Sequence, residues 1–182
     1  MRTMIVILSL LASLGQAAAQ ETRNEVTRST TPAEDSKPNS DAVPDVQAFT
    51  SQIERVVLLR FKNQADILEG IQRMVKEQKI QNAVILSGIG SVRGYHYHMV
   101  SNTTFPSKNV FVKNPSAPAD IASMNGHVID GRVHAHITFA NADGAFGGHL
   151  EPGTITFTFA IVTIGVFRDG LDLSRVDDKN YR

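Results

Sequence analysis

The stretch VHAHITFANADGAFGGHL, residues Val133–Leu150, carries the pattern that decides the fold. Apolar and polar residues alternate as far as Ala140, which is typical of a strand with one face buried in a core. Asp143 and Gly144 follow, and this pair is favoured in the two-residue loops of hairpins. The stretch therefore predicts two neighbouring antiparallel strands.

Three of the six histidines of the chain lie in this hairpin. His134 and His136 are two residues apart, so in a strand they project from the same face. If the Asp-Gly pair forms the loop, Thr138 lies opposite His149, which places His149 on that same face and diagonal to His136. A one-residue bulge at the Gly-Gly pair before His149 would instead turn its ring to the other face.

Three neutral imidazoles around one open position suit zinc in its catalytic form, which makes His134, His136 and His149 candidate metal ligands. Nickel, copper and iron also accept nitrogen ligands, so the metal could be another divalent transition ion. Glu151 is the nearest candidate for a partner that orients a ligand or for a catalytic proton-transfer group. Spacing alone leaves a second interpretation open, in which these are three unconnected surface histidines.

The remaining histidines give weaker signals. The sequence YHYH, Tyr95–His98, places His96 and His98 on one face of a strand. They could form a second metal half-site or a pocket wall, but we favour a solvated strand face. His127 is expected to be structural or exposed.

The periodicity of the rest of the chain predicts an α+β fold: a mainly antiparallel sheet with one principal helix packed on it, in a single domain. A helix with an apolar stripe is expected between Ala65 and Ile80, and Asp66 and Glu69 have capping-box spacing at its start. Strands are expected at Ile53–Lys62, Asn82–Val92 (ending in a Gly-x-Gly turn), Gly94–Val100, Ala119–Ile129, Arg132–Ala140 and Gly153–Phe167, with a short strand at Val110–Val112 as a further option.

The composition excludes several classes of protein. The chain has 182 residues, 18 basic and 18 acidic side chains, and no cysteine. Balanced charge provides no field that would attract nucleic acid or an anionic membrane. The lack of cysteine excludes disulfides, thiolate metal sites and a cysteine nucleophile.

The N-terminal residues 1–19 have the order of a secretory signal peptide: Arg2, the apolar run Met4–Leu14, and small residues with a cleavage point after Ala19. The run is too short to span a bilayer. The protein is therefore expected to be exported, to the periplasm or the medium, with no membrane span after processing. Residues 20–51 are expected to form a flexible, disordered polar linker, residues 52–168 the folded domain, and residues 169–182 a polar C-terminal tail.

Four motifs follow one another along the chain: LSGIGSVRG (Leu86–Gly94), DIASMNGHV (Asp120–Val128), the opening stretch, and VTIGVF (Val162–Phe167). Together they resemble the PPC ("plants and prokaryotes conserved") domain, of the stand-alone prokaryotic type. The resemblance covers about Ile53–Phe167 and implies a compact α+β protomer that assembles as a homotrimer. Plant members carry an AT-hook that binds DNA; no such element occurs here, so nucleic acid is not expected as a partner.

Stand-alone members are similar to this chain in their His-x-His and Gly-Gly-His elements, a set suggested as a metal site, which falls on His134, His136 and His149. The arrangement also resembles that of acetolactate decarboxylase, a zinc enzyme of related fold. Together with the signal-peptide pattern of residues 1–19, the resemblance leads us to expect an exported protein of unassigned activity that binds zinc through these three histidines and a small molecule nearby. The alternatives are a metal-dependent lyase, a non-catalytic trimeric interaction module and, least favoured, a DNA-binding protein.

Overall fold

In a computed structural model of the chain, the structure describes residues 19–26, 44–104 and 106–174, and residues 31, 33, 37, 38, 41 and 176. The predicted signal peptide lies outside the described residues except for its last position, as does most of the predicted C-terminal tail. Among the described residues, no helix combines the length and apolar character needed to cross a bilayer.

The described chain forms an eight-stranded antiparallel sheet with a helix packed on it, which confirms the predicted α+β fold. The strand order is β1-β4-β3-β5-β6-β7, and β8 lies between β2 and β3. The elements are β1 (Glu21–Val26), β2 (Ile53–Lys62), α1 (Ile67–Glu77), β3 (Ala83–Val100), β4 (Lys108–Asn114), β5 (Ala119–Ile129), β6 (Arg132–Asn141), β7 (Gly144–Leu150) and β8 (Ile155–Phe167).

Strand β3 organises the sheet because it is long enough, at 18 residues, to have two partners along each edge. Its first part pairs with β5 and β8, and its second part pairs with β4 and β7. Strands β5, β6 and β7 follow one another in the sheet, and β7 returns to β3. The four strands β3, β5, β6 and β7 therefore close into a ring.

The predicted turn at Gly88–Gly90 is wrong, since β3 runs through it with shifts of register against β8. Gly90 instead allows the backbone of β8 to approach β3 closely. A Cβ on Gly90 would lie 2.4 Å from the carbonyl oxygen of Phe159, and the φ of Gly90 is +139°. A Gly-x-Gly pattern is compatible with either a turn or a bulged strand, and here the neighbouring strand β8 requires the bulge.

Helix α1 begins where the capping-box spacing predicts. The carboxylate of Asp66 accepts a hydrogen bond from the backbone N–H of Glu69 at 3.0 Å, and its other oxygen accepts one from the N–H of Gly153 at 2.6 Å. Asp66 thus joins the start of the helix to the segment that follows β7. The apolar stripe of α1 packs on the sheet through Ile67, Leu68, Ile71 and Val75, all buried.

The structure differs from the predicted linker at its start, because residues 21–26 form β1 along the edge of β4. All six side chains are exposed, so the strand depends on backbone pairing rather than on burial. The guanidinium of Arg23 also lies 4.1 Å from the ring centre of Phe111. Amino-acid composition indicates how much apolar surface a segment can bury. It therefore does not predict a strand such as β1, which is held by backbone pairing with a sheet edge.

Candidate metal centre

The β6–β7 hairpin places His136 directly opposite His149. The loop consists of Ala142 and Asp143, and the side-chain oxygen of Asn141 accepts hydrogen bonds from the N–H groups of Asp143 and Gly144 at 2.9 and 3.2 Å. The predicted register was wrong, because the loop lies one residue earlier than the Asp-Gly pair suggested. The earlier loop changes the partner of each β7 residue by two positions along β6, for example from Thr138 to His136 for His149. A shift of two positions keeps His149 on the predicted face.

The pairing between β6 and β7 has no bulge, and the three predicted ligands lie together. One nitrogen from each of His134, His136 and His149 lies within 4.8 Å of the other two. The Nε2 atoms of His134 and His136 are 3.3 Å apart, and the ring of His149 meets both rings edge-on, at centroid distances of 4.7 and 5.4 Å.

The nitrogen separation between His134 and His136 fits one edge of a tetrahedral zinc site. Zinc–nitrogen bonds of about 2.0–2.1 Å at tetrahedral angles separate two ligand nitrogens by about 3.3 Å. The two nitrogens of His134 and His136 have that separation. His134 and His136 are exposed and His149 is half-buried, so a small molecule can reach these rings from solvent.

The electrostatic environment favours the neutral form of one candidate ligand, His136. Partial burial lowers the pKa of His136, and charge on His134 and His98 lowers it further. A metal ion binds the neutral imidazole, so at neutral pH this residue is in the form that a metal requires.

His98 is the residue that sequence reasoning missed. It is half-buried rather than on a solvated face, and in register it lies opposite both Phe111 and His149. Its ring stacks on His149 at 4.5 Å and contacts Phe111 at 4.7 Å. The Tyr-His alternation in the sequence indicates that His96 and His98 share a face of the strand. It does not indicate that this face lies beside His149, which follows only from the pairing of β3 with β7.

Glu151 contacts His98, because its Oε1 lies 2.6 Å from Nδ1 of that ring. His98, His149 and Glu151 also form a second group with ligand atoms within 4.8 Å. A separation of 2.6 Å is that of a strong hydrogen bond and is shorter than the spacing of two ligands around zinc. Glu151 therefore orients His98, which in turn packs against His149.

The last two histidines lie outside both groups. Nδ1 of His96 is 2.7 Å from the carbonyl oxygen of Pro152, so this side chain contacts the segment after β7. His127 lies opposite His134 on β5 and is exposed, as predicted. Both are useful reference positions, since each is a histidine near the candidate centre that contributes no ligand atom to either group.

Comparison with known proteins agrees with the fold. The family model described as the Plants and Prokaryotes Conserved (PCC) domain matches residues 48–168. The chain is 26% identical over 129 residues, 70% of its length, to the bifunctional protein GlmU of Synechococcus sp. strain JA-3-3Ab, but it spans only 20% of that relative.

Three solved structures are similar in fold. A metal-containing protein of Archaeoglobus fulgidus is 21% identical with a TM-score of 0.55, over 66% of this chain and 86% of that one. A plant- and prokaryote-conserved protein of Pyrococcus horikoshii is 23% identical with a TM-score of 0.54, over 68% and 85%. A protein of Bacteroides thetaiotaomicron whose description suggests DNA binding is 18% identical with a TM-score of 0.51, over 65% and 82%.

Proposed function

The chain belongs to the Plants and Prokaryotes Conserved (PCC) domain family, and on that premise we propose that it binds a divalent transition metal, zinc in preference, through His134, His136 and His149. One observation carries the proposal: the 3.3 Å separation of the Nε2 atoms of His134 and His136, with His149 directly opposite His136. Two rings that present nitrogens at the spacing of a tetrahedral edge are arranged as ligands before any ion binds.

A small molecule is the proposed occupant of the fourth position. A zinc ion with three nitrogen ligands polarises a bound water or substrate oxygen. The chain contributes the orientation of the ligands: Glu151 accepts a hydrogen bond from His98, and the His98 ring stacks on His149 and restricts its rotation. The exposure of His134 and His136 leaves the approach to this position open.

Metal analysis tests the proposal. The purified full-length chain should retain about one zinc per protomer after dialysis, and a His134→Ala/His136→Ala variant should retain none. His127→Ala is the matched control, because it removes a neighbouring exposed histidine that contributes no ligand atom. Equal and negligible zinc in all three proteins would overturn the proposal, as would equal zinc in the wild type and the double variant.

Self-association as a homotrimer is part of the proposal and is supported by an exposed apolar face. Leu58 pairs with Thr163, and Ile89 pairs with Ile161, so these positions share a face with Phe159. Leu58, Ile89 and Phe159 are 67, 55 and 42% exposed. Contiguous apolar surface of this kind is typical of interfaces. Light scattering should give three protomers for the wild type and one for Leu58→Glu/Ile89→Glu; a monomeric wild type would refute the trimer.

Export is likewise proposed, on the order of residues 1–19. N-terminal sequencing of protein recovered outside the cytoplasm should begin at Gln20. An intact Met1 in all of the protein would contradict export.

DNA binding is the second candidate function. The description of the Bacteroides thetaiotaomicron structure favours it and does not fit the expectation that nucleic acid is not a partner. The balance of 18 basic and 18 acidic side chains argues against it. Titration of duplex DNA at two salt concentrations distinguishes the candidates: affinity that falls steeply with salt and survives the loss of His134 and His136 would favour DNA binding over the metal centre.

A further inference from the structure

A cavity of about 690 Å³ lies where the end of α1 meets the turn between β5 and β6. Val75 and Ile80 are buried and Val133 is half-buried, and these three side chains give the cavity an apolar floor. The volume is within the range of small-molecule sites. The cavity is separate from the histidine cluster, because none of the six histidines lines it.

Three cations surround this floor: Lys76 and Lys79 from the end of α1, and Arg132 from the start of β6. No acidic side chain lines the cavity within the part of the chain that the structure describes. Neither lysine belongs to an ion pair among the described residues. In a chain whose formal charges sum to zero, three positive side chains around one cavity give a local field that attracts anions.

Lys79 also has a backbone conformation that a lysine rarely adopts. Its φ is +53°, and it follows the C-cap residue Gln78. The N–H of Lys79 donates to Lys76 at 3.2 Å and the N–H of Ile80 donates to Val75 at 2.9 Å, the hydrogen-bond pattern that ends a helix with a left-handed residue. Glycine is strongly preferred at this position because a Cβ is strained there.

The helix dipole alone does not explain the cluster. Cations near a helix C-terminus are favoured by the dipole, which accounts for Lys76. It does not account for a lysine where glycine would be less strained, nor for Arg132, which lies outside the helix. The strained backbone of Lys79 places a cation rather than glycine at the wall of the cavity, which supports a role for its side chain.

From these observations we propose that the cavity binds a small molecule that carries an oxyanion, a carboxylate or a phosphate, on a short apolar body. Lys76 and Lys79 bind the oxyanion, Arg132 adds positive charge at the cavity wall, and the apolar body packs on Val75 and Ile80. Charged hydrogen bonds from lysine and arginine are the usual partners of both anions. This binding does not depend on the metal centre.

Titration calorimetry of the full-length chain tests the site. The anionic probes are hexanoate, hexyl phosphate and inorganic phosphate, and 1-hexanol is a neutral probe with the same apolar chain. Hexanoate or hexyl phosphate should bind at least about tenfold more tightly than 1-hexanol, since charged hydrogen bonds contribute more than neutral ones. Whichever anion binds more tightly identifies the head group. No binding of either anion at millimolar concentration, or equal binding of 1-hexanol, would overturn the proposal.

The Lys79→Gly variant separates a ligand-binding role from a structural one. Glycine relieves the left-handed strain, so the Tm should rise while affinity for the bound anion falls at least about tenfold. A lysine that only supports the helix would give the opposite result, a lower Tm. Lys62→Gln, an exposed lysine on β2 away from the cavity, is the control and should change neither quantity. Wild-type affinity in Lys79→Gly would overturn the assignment.

Discussion

Replacing Gly148 with alanine tests whether the close approach of β7 to β3 positions the proposed metal centre. A Cβ on Gly148 would lie 2.3 Å from the carbonyl oxygen of His98, whereas carbon–oxygen contacts are not normally shorter than about 3.3 Å. The oxygen belongs to the backbone and cannot rotate away, so β7 must move by about 1 Å. That movement separates His149 from His98.

Two effects of the Gly148→Ala substitution lower the free energy of unfolding. Overpacking costs about 1–3 kcal/mol, and weakened backbone pairing between β7 and β3 adds about 1 kcal/mol. We expect Tm to fall by roughly 6–15 °C in calorimetry of the metal-free protein. Displacement of a ligand should weaken zinc binding by at least about a hundredfold, the upper end of what indirect contacts contribute, as measured by competition with a chelating dye.

A control variant distinguishes the effect of backbone strain from the effect of displacing His149. Gly131 has a φ of +73° and no heavy atom nearer than 4.0 Å to the added Cβ, so Gly131→Ala introduces left-handed strain without a clash. It should cost about 1–2 kcal/mol and leave zinc affinity unchanged. If Gly148→Ala lost stability but kept wild-type zinc affinity, the reasoning that β3 positions His149 would be refuted.

Three other changes test separate contacts. Asp66→Ala should lower the free energy of unfolding in urea by about 2–3 kcal/mol, because it removes the cap of α1 and the bond to Gly153; a loss below about 0.5 kcal/mol would contradict that role. Glu151→Gln should weaken zinc binding about tenfold with little change in Tm, and unchanged affinity would show that Glu151 does not act on the centre through His98. Because the pKa of His136 is lowered from its ordinary 6.5, the unfolded chain binds a proton there at higher pH than the folded chain does. In the presence of EDTA, stability should therefore rise as pH increases towards about 6.5 and then level off, and His136→Gln should reduce this slope; an equal slope in the variant would contradict the cause.

Local patterns predicted the parts of the fold that depend on neighbours in sequence. The bounds expected for β2 and β5 agree with the structure, and the cap at Asp66 is where its spacing places it. His134, His136 and His149 lie on one face as predicted, although the predicted hairpin register was wrong by two residues. A strand returns its side chains to the same face every two residues, so this error did not change the face.

The parts that were missed depend on contacts between distant segments. His98 belongs to the histidine cluster only because β7 pairs with β3, about fifty residues away in sequence, and alternation within β3 does not indicate what its outer face meets. Residues 21–26 form β1 because β4 has a free edge, which composition does not indicate. The continuation of β3 through Gly88–Gly90 likewise depends on the backbone of β8.

The ring of strands limits how a ligand can be recognised near the histidines. Strand β6 lies between β5 and β7, and β7 pairs with β3 at His149, so the main chain at His136 and His149 is already paired on both sides. An extended peptide cannot add itself to the sheet there, because strand addition requires an unpaired edge. Selectivity at these two positions must therefore come from side chains, together with the ion that we propose there, which would favour compact, oxygen-rich molecules over polypeptides.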